Sequence, residues 1–282
     1  MVIFTKLCSR FSKFLTGASV GAGLALITYG LYNKDKFVAY AQWNIEQSCT
    51  IRWDDNWDKR SPSNMIKPPK NEKEKEIREE KILRSMPSSS RYLFLIRHGQ
   101  YNLEGSSDFE RELTSLGQNQ AQITGERLRE FNHPFARIFH SSMTRAKQTA
   151  EFIHKNFPDL PLVSCDLLRE GAPVPPEPAI KHWKPEASEF FQQGIRIEAA
   201  FRKYFHRAHP EQTQDSYEII VCHANVIRYF VCRALQLPAQ AWLRMSLNNG
   251  SITMITIRPD GRVLLRALGD SGHIPATKVT NT

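Results

Sequence analysis

Five consecutive apolar or aromatic residues, Tyr92-Leu93-Phe94-Leu95-Ile96, run directly into Arg97-His98-Gly99. An unbroken apolar run of that length reads as a buried strand. The residues at its exit narrow the possibilities further. In open α/β sheets, ligands bind at the carboxyl ends of strands. An imidazole placed there is a nucleophile that works near neutral pH. A guanidinium beside it offers a planar fork to phosphate oxygens.

From Arg91 onward, apolar runs alternate with helical patterns, which predicts an α/β domain with a mostly parallel sheet. Leu113-Thr114-Ser115-Leu116-Gly117 opens a helix through Phe131. Arg137-Ile138-Phe139-His140 reads as a strand followed by Ser141 and a helix, with Arg145 in that helix's first turn. Tyr217 to Cys222 is a further strand, ending at His223. Ile252 to Ile257 and Val263 to Leu268 flank Pro259-Asp260-Gly261, a hairpin turn. A parallel sheet brings Arg97, His98, Arg145 and His223 to one edge, where two arginines and two histidines suit a dianion. No acidic cluster or His-x-His spacing accompanies them, so no metal is expected.

The formal net charge of +9 fits phosphoanionic substrates, nucleic acid or an acidic membrane surface. No basic-aromatic RNA-binding signature and no zinc-finger spacing occurs, so nucleic acid is not an expected partner. The five cysteines (Cys8, Cys49, Cys165, Cys222, Cys232) form no Cys-x-x-Cys pair, which leaves free thiols as the expectation.

Residues 14–32 carry no charge. As a helix they span ~28 Å at ~1.5 Å per residue, about the hydrocarbon thickness of a bilayer. Lys6, Arg10 and Lys13 flank one end, Lys34 and Lys36 the other, and the first acidic residue is Asp35. The length favours a signal anchor over a cleaved secretory signal or a buried helix, and the basic, acid-free start resembles mitochondrial targeting. The expected division is 1–36 membrane anchor and targeting segment, 37–90 linker, 91–272 catalytic domain and 273–282 tail. Within the linker lies Trp53-Asp54-Asp55-Asn56-Trp57-Asp58. Its tryptophans either fold back on their own domain or dock on a neighbouring copy, and the second reading is favoured. Trp53, Asp54, Asn56, Trp57 and Asp58 are then oligomerisation residues. Pro62, Pro68 and Pro69 interrupt regular structure, and Glu72 to Arg84 reads as a solvated helix with Glu74/Arg78 and Glu80/Arg84 four apart.

The Arg97-His98-Gly99 triplet, the Leu-Thr-x-x-Gly helix start, Ser141-x-x-x-Arg145-Ala146-x-x-Thr149 and His223 together resemble the histidine phosphatase superfamily over about residues 91–270. That resemblance implies the phosphoglycerate mutase-like fold, a three-layer α/β/α arrangement around a mostly parallel sheet, preceded here by the transmembrane helix and linker. The anchor, the Trp-Asp stretch, Leu168-Arg169-Glu170-Gly171-Ala172-Pro173 and His182-Trp183-Lys184-Pro185 are similar to the superfamily's mitochondrial serine/threonine protein phosphatases. It implies phosphorylated protein substrates, no cofactor or metal, homo-oligomers built through the Trp-Asp motif, and a mitochondrial membrane, the outer one favoured. It also assigns roles. His98 forms a phosphohistidine, Arg97 and Arg145 bind phosphoryl oxygens, His223 is the second imidazole, and Glu170 is the proton donor. Asn102 is a further candidate for the phosphate pocket. The other histidines, His133, His140, His154, His182, His206, His209 and His273, are expected at the surface or in packing. Two features depart from the family pattern. Cys222 and Ala224 flank His223 where glycines are usual, and Gln100 stands where mutases often carry Glu. The alternatives are a small-metabolite phosphatase or mutase, and a scaffold that retains the fold.

Overall fold

The computed structural model describes residues 52–181 and 183–281. The chain divides after Trp53, and the architecture below is that of the second unit, from Asp54 onward. The expected membrane helix at 14–32, Cys8, Cys49 and His182 lie outside the described residues.

The strands are β1 (Arg91–Arg97), β2 (Phe135–Ser141), β3 (Leu162–Cys165), β4 (Ser216–Cys222), β5 (Ile252–Ile257) and β6 (Val263–Asp270). They form one sheet in the order β3-β2-β4-β1-β5-β6. β3, β2, β4 and β1 are parallel, whereas β5 runs antiparallel to both β1 and β6. The sheet is therefore mixed. The tight turn through Gly261 obliges β5 and β6 to be antiparallel, as any short hairpin must. β3 carries no clear pattern in the sequence, because it is a four-residue edge strand with two exposed positions.

The helices are α1 (Glu72–Arg84), α2 (Ser115–Glu130), α3 (Thr144–His154), α4 (Ala187–Tyr204) and α5 (Ala224–Ala234). Side chains alternate across β1. Leu93 and Leu95 pack with Ile197, Phe201 and Phe230 of α4 and α5. Phe94 and Ile96 pack with Leu128 and Ile153 of α2 and α3. Both faces of β1 are thus covered, which explains why its sequence is continuously apolar. Each side chain of this size contributes about 1.5–3 kcal/mol on burial.

The register aligns the strand exits. Arg97 lies opposite Cys222, His140 opposite Val221, and Ser141 opposite Cys165. His98, Ser141 and His223 therefore reach the same edge of the sheet.

Helix α1 has no buried residue, as a solvated spacer should. Its Glu80–Arg84 pair forms. The expected Glu74–Arg78 pair does not. Arg78 instead donates to the carbonyls of Ser63 (2.6 Å) and Lys67 (3.1 Å), and the Glu74 carboxylate accepts from the Lys70 amide at 2.8 Å. A carboxylate in the first turn already complements the helix dipole.

The Trp-Asp stretch folds back on its own domain from Asp54 onward. The Trp57 indole donates to the Gly261 carbonyl at 2.7 Å, and its ring lies 6.0 Å from Phe201. The Asp58 carboxylate accepts from the Arg207 amide (2.9 Å) and Nε (3.0 Å). Asp54 exchanges hydrogen bonds with the Gln236 side chain. Trp53 and Asp54 are exposed, and Asn56 accepts from the Ser61 amide at 3.0 Å.

Candidate active site

Two glycines from separate motifs set the site's floor. A Cβ on Gly99 would lie 2.4 Å from the Gly117 carbonyl oxygen, and one on Gly117 would lie 1.9 Å from that of Gln100. The turn after β1 and the first turn of α2 thus touch backbone to backbone. Thr114 caps α2 by accepting from the Gly117 amide at 3.0 Å, and its own amide donates to the Gln100 carbonyl at 3.0 Å.

On that floor His98 is 2% exposed. Its Nδ1 lies 2.8 Å from the Gly99 carbonyl. A carbonyl only accepts, so Nδ1 carries the proton and Nε2 keeps its lone pair. Arg145, the second residue of α3, donates from Nε to that Nε2 at 3.3 Å. The Arg145 guanidinium also sits 4.6 Å from the Tyr101 ring centroid and 3.6 Å from the Asp108 carboxylate. Arg97 is tied through Nη1 to the carbonyls of Leu247 (2.6 Å) and Asn281 (3.2 Å).

The His223 ring lies 5.1 Å from that of His98. Its Nε2 is 2.8 Å from the Ser141 hydroxyl, which also accepts from the Met143 amide at 3.3 Å. The Ser141 hydroxyl thus ties His223 to the exit of β2. Arg97 Nε and His223 Nδ1 have no hydrogen-bond partner among the described residues, and Arg145 Nη1 has only the Asp108 carboxylate at 3.6 Å. Buried donors are normally paired. Two guanidinium groups and a second imidazole beside one unprotonated imidazole nitrogen suit a tetrahedral oxyanion.

Residues 93–174 and 175–268 match the histidine phosphatase superfamily (branch 1). The chain belongs to this superfamily. It is 52% identical over 241 residues to a Xenopus laevis protein named serine/threonine-protein phosphatase PGAM5, mitochondrial, covering 85% of this chain and 87% of that one. A Drosophila ananassae protein of the same name is 46% identical over 280 residues, covering 96% of each chain. Among solved structures, the product of a Mycobacterium tuberculosis open reading frame superposes with a TM-score of 0.51 at 23% identity, covering 65% of this chain and 99% of that one. This last likeness concerns the fold alone.

The electrostatics suit histidine phosphatase chemistry. Burial, reinforced by Arg145 and Arg97, holds His98 well below the usual histidine range. Burial likewise lowers His223, with His98 and Arg145 next in weight. Both rings are neutral at neutral pH, the state a nitrogen nucleophile requires. Burial lowers Arg97 to about 10, which leaves it charged. Glu170 moves in the opposite direction. Burial raises its carboxyl, against the pull of the Gly171 amide, Arg145, the Asn225 amide and Arg97. A carboxyl shifted in this direction beside two arginines and two histidines is a candidate general acid. Burial pushes the Cys222 thiol far up, so that sulfur is inert beside His223. Ala224 is 6% exposed and fits where the family pattern has glycine.

Asn102 is tied to its own loop rather than to this site. It is exposed, its amide donates to the Glu110 carbonyl at 3.3 Å, and its oxygen accepts from the Glu104 amide at 3.1 Å. A short polar side chain in a loop satisfies nearby backbone first. Two other residues contact His98 instead, one at its ring and one at its backbone. The Tyr101 ring stands edge-on to His98 at 5.1 Å, and buried Asn249 donates to the His98 carbonyl at 3.1 Å. In sequence, Asn248-Asn249-Gly250 reads only as a turn.

Proposed function

We propose that this protein is a mitochondrial serine/threonine protein phosphatase that works through a phosphohistidine on His98 and needs no metal. The observation that carries this reading is the unprotonated His98 Nε2, with Arg145 bonded to it and Arg97 and the His223 ring beside it. The names of its relatives support the substrate class and compartment.

His98 Nε2 attacks phosphorus. Arg97, Arg145 and His223 hold the oxygens that gain charge in the transition state. As the P–O bond breaks, the Glu170 carboxyl gives its proton to the seryl or threonyl oxygen, a poor leaving group otherwise. The resulting carboxylate then takes a proton from the water that attacks phosphohistidine. Inorganic phosphate leaves, and His98 and protonated Glu170 are regenerated.

The full chain should release phosphate from a phosphothreonine peptide in EDTA, and His98→Ala should abolish it. Metal-dependent turnover, or turnover that survives His98→Ala, would contradict the mechanism.

The uncharged segment 14–32 supports a membrane anchor, for which the outer mitochondrial membrane is favoured. Assembly into dimers and larger homo-oligomers through this stretch rests on exposed Trp53, because Trp57 and Asp58 are engaged by their own domain. Replacing Trp53 by alanine should shrink the particle in sedimentation; an unchanged mass would remove that role.

A further inference from the structure

Glu170 sits on a segment with no regular structure, just after a 3-10 turn that ends at Leu168. Backbone carbonyls in such a segment need partners when buried. A single side chain of α4 supplies them. Arg196 donates from Nη1 to the carbonyls of Leu167 (2.9 Å) and Arg169 (2.6 Å), and from Nη2 to that of Glu170 (3.0 Å). One turn earlier, Gln193 Oε1 accepts from the Ala172 amide at 2.5 Å. Between them, Gly194 approaches the Pro173 carbonyl so closely that a Cβ would lie 2.3 Å from its oxygen. Residues 167–173 are therefore laid along one face of α4, with the guanidinium beneath the acid.

We propose that Arg196 is a positioning residue for Glu170: its planar fork fixes the backbone on both sides of the general acid and so holds the carboxyl against the leaving oxygen. The inference rests on the reading of Glu170 as the acid. The fork geometry matters because an ammonium is a point donor and cannot span three carbonyls in one plane. Gln193 secures the far end of the same segment. These side-chain hydrogen bonds all go to the backbone of residues 167–172, so both residues act through the segment that carries Glu170.

The test uses the full chain with a phosphoserine peptide and 4-nitrophenyl phosphate, whose leaving group needs little protonation. Arg196→Gln should lower kcat/KM for the peptide by ~10²-fold, toward the loss of general-acid catalysis, and for the aryl ester about tenfold less. Arg196→Lys should fall between wild type and Arg196→Gln. Adding Glu170→Gln to Arg196→Gln should cost the peptide reaction little more, because residues acting through one group are non-additive. Equal losses on both substrates, or fully additive losses in the double variant, overturn the proposal. Should Arg196→Gln fail to fold, Gln193→Ala must show a smaller loss with the same selectivity; an unselective loss overturns it as well. Glu170→Gln on its own separates the two readings. If it impairs both substrates equally, the acid role falls and the proposal with it. If it is selective while the Arg196 variants are not, only the proposal falls.

Discussion

At the residue scale, burial does opposite things to two kinds of acid in one pocket. It disfavours the protonated form of His98 and His223 and favours that of Glu170. Each shift is toward the neutral form, the form that the proposed nucleophile and acid require. The same shifts set the pH dependence of stability. The histidines have folded values below their unfolded value of about 6.5. As pH falls below about 6.5, the unfolded chain takes up protons that the folded site refuses, and stability is lost. Glu170 has a raised folded value, so its contribution is complete below the unfolded value of about 4.3 and declines as pH rises through the folded one. Thermal denaturation should therefore show the melting temperature falling on acidification from about pH 7 to about pH 5.5, with a shallower fall in His223→Gln. Glu170→Gln should melt higher than wild type near neutral pH while losing ~10²–10⁴-fold in phosphoserine hydrolysis. A lower melting temperature there would mean that the partly buried carboxyl costs no stability.

At the element scale, the Arg-His-Gly and Leu-Thr-x-x-Gly motifs turn out to be two halves of one contact. Gly99 and Gly117 are separated by 18 positions in the sequence and meet backbone to backbone. Gly117→Ala must part β1's exit from α2, because the new Cβ meets a carbonyl oxygen rather than a movable side chain. Overpacking of this kind costs about 1–3 kcal/mol or more. Chemical denaturation should find that loss, together with reduced activity, since His98 rides on the displaced turn. Activity without any stability loss would show that the turn relaxes freely. The strands β1, β2 and β4 were legible because each is a local run of apolar or β-branched residues with a polar exit. β3 was not, because a short edge strand needs its neighbour to define it.

At the scale of the whole described unit, the Trp-Asp stretch acts as a strap. Asp58 and Arg207 form a buried ion pair separated by 149 positions, and Trp57 reaches the β5–β6 turn at Gly261. Asp58→Ala would leave a buried guanidinium uncompensated, a loss of about 3–5 kcal/mol. Its melting temperature should fall accordingly; an unchanged value would mean that Arg207 finds water or another carboxylate. By itself the sequence determined the α/β class and the strand exits that carry Arg97, His98 and His223. It also placed Arg145 in the first turn of its helix and marked Glu170 through a family motif. These signals are local, because side-chain period, helix starts and glycine turns act over a few residues. Only the tertiary structure decided which groups meet. It tied Asn102 to its own loop, set Tyr101 and Asn249 against His98, ran β5 antiparallel to β1, fixed the tautomer of His98 and put Arg196 beneath the segment that carries Glu170. Those outcomes depend on hydrogen bonds between residues distant in the chain and on burial, and neither leaves a periodic trace in the sequence.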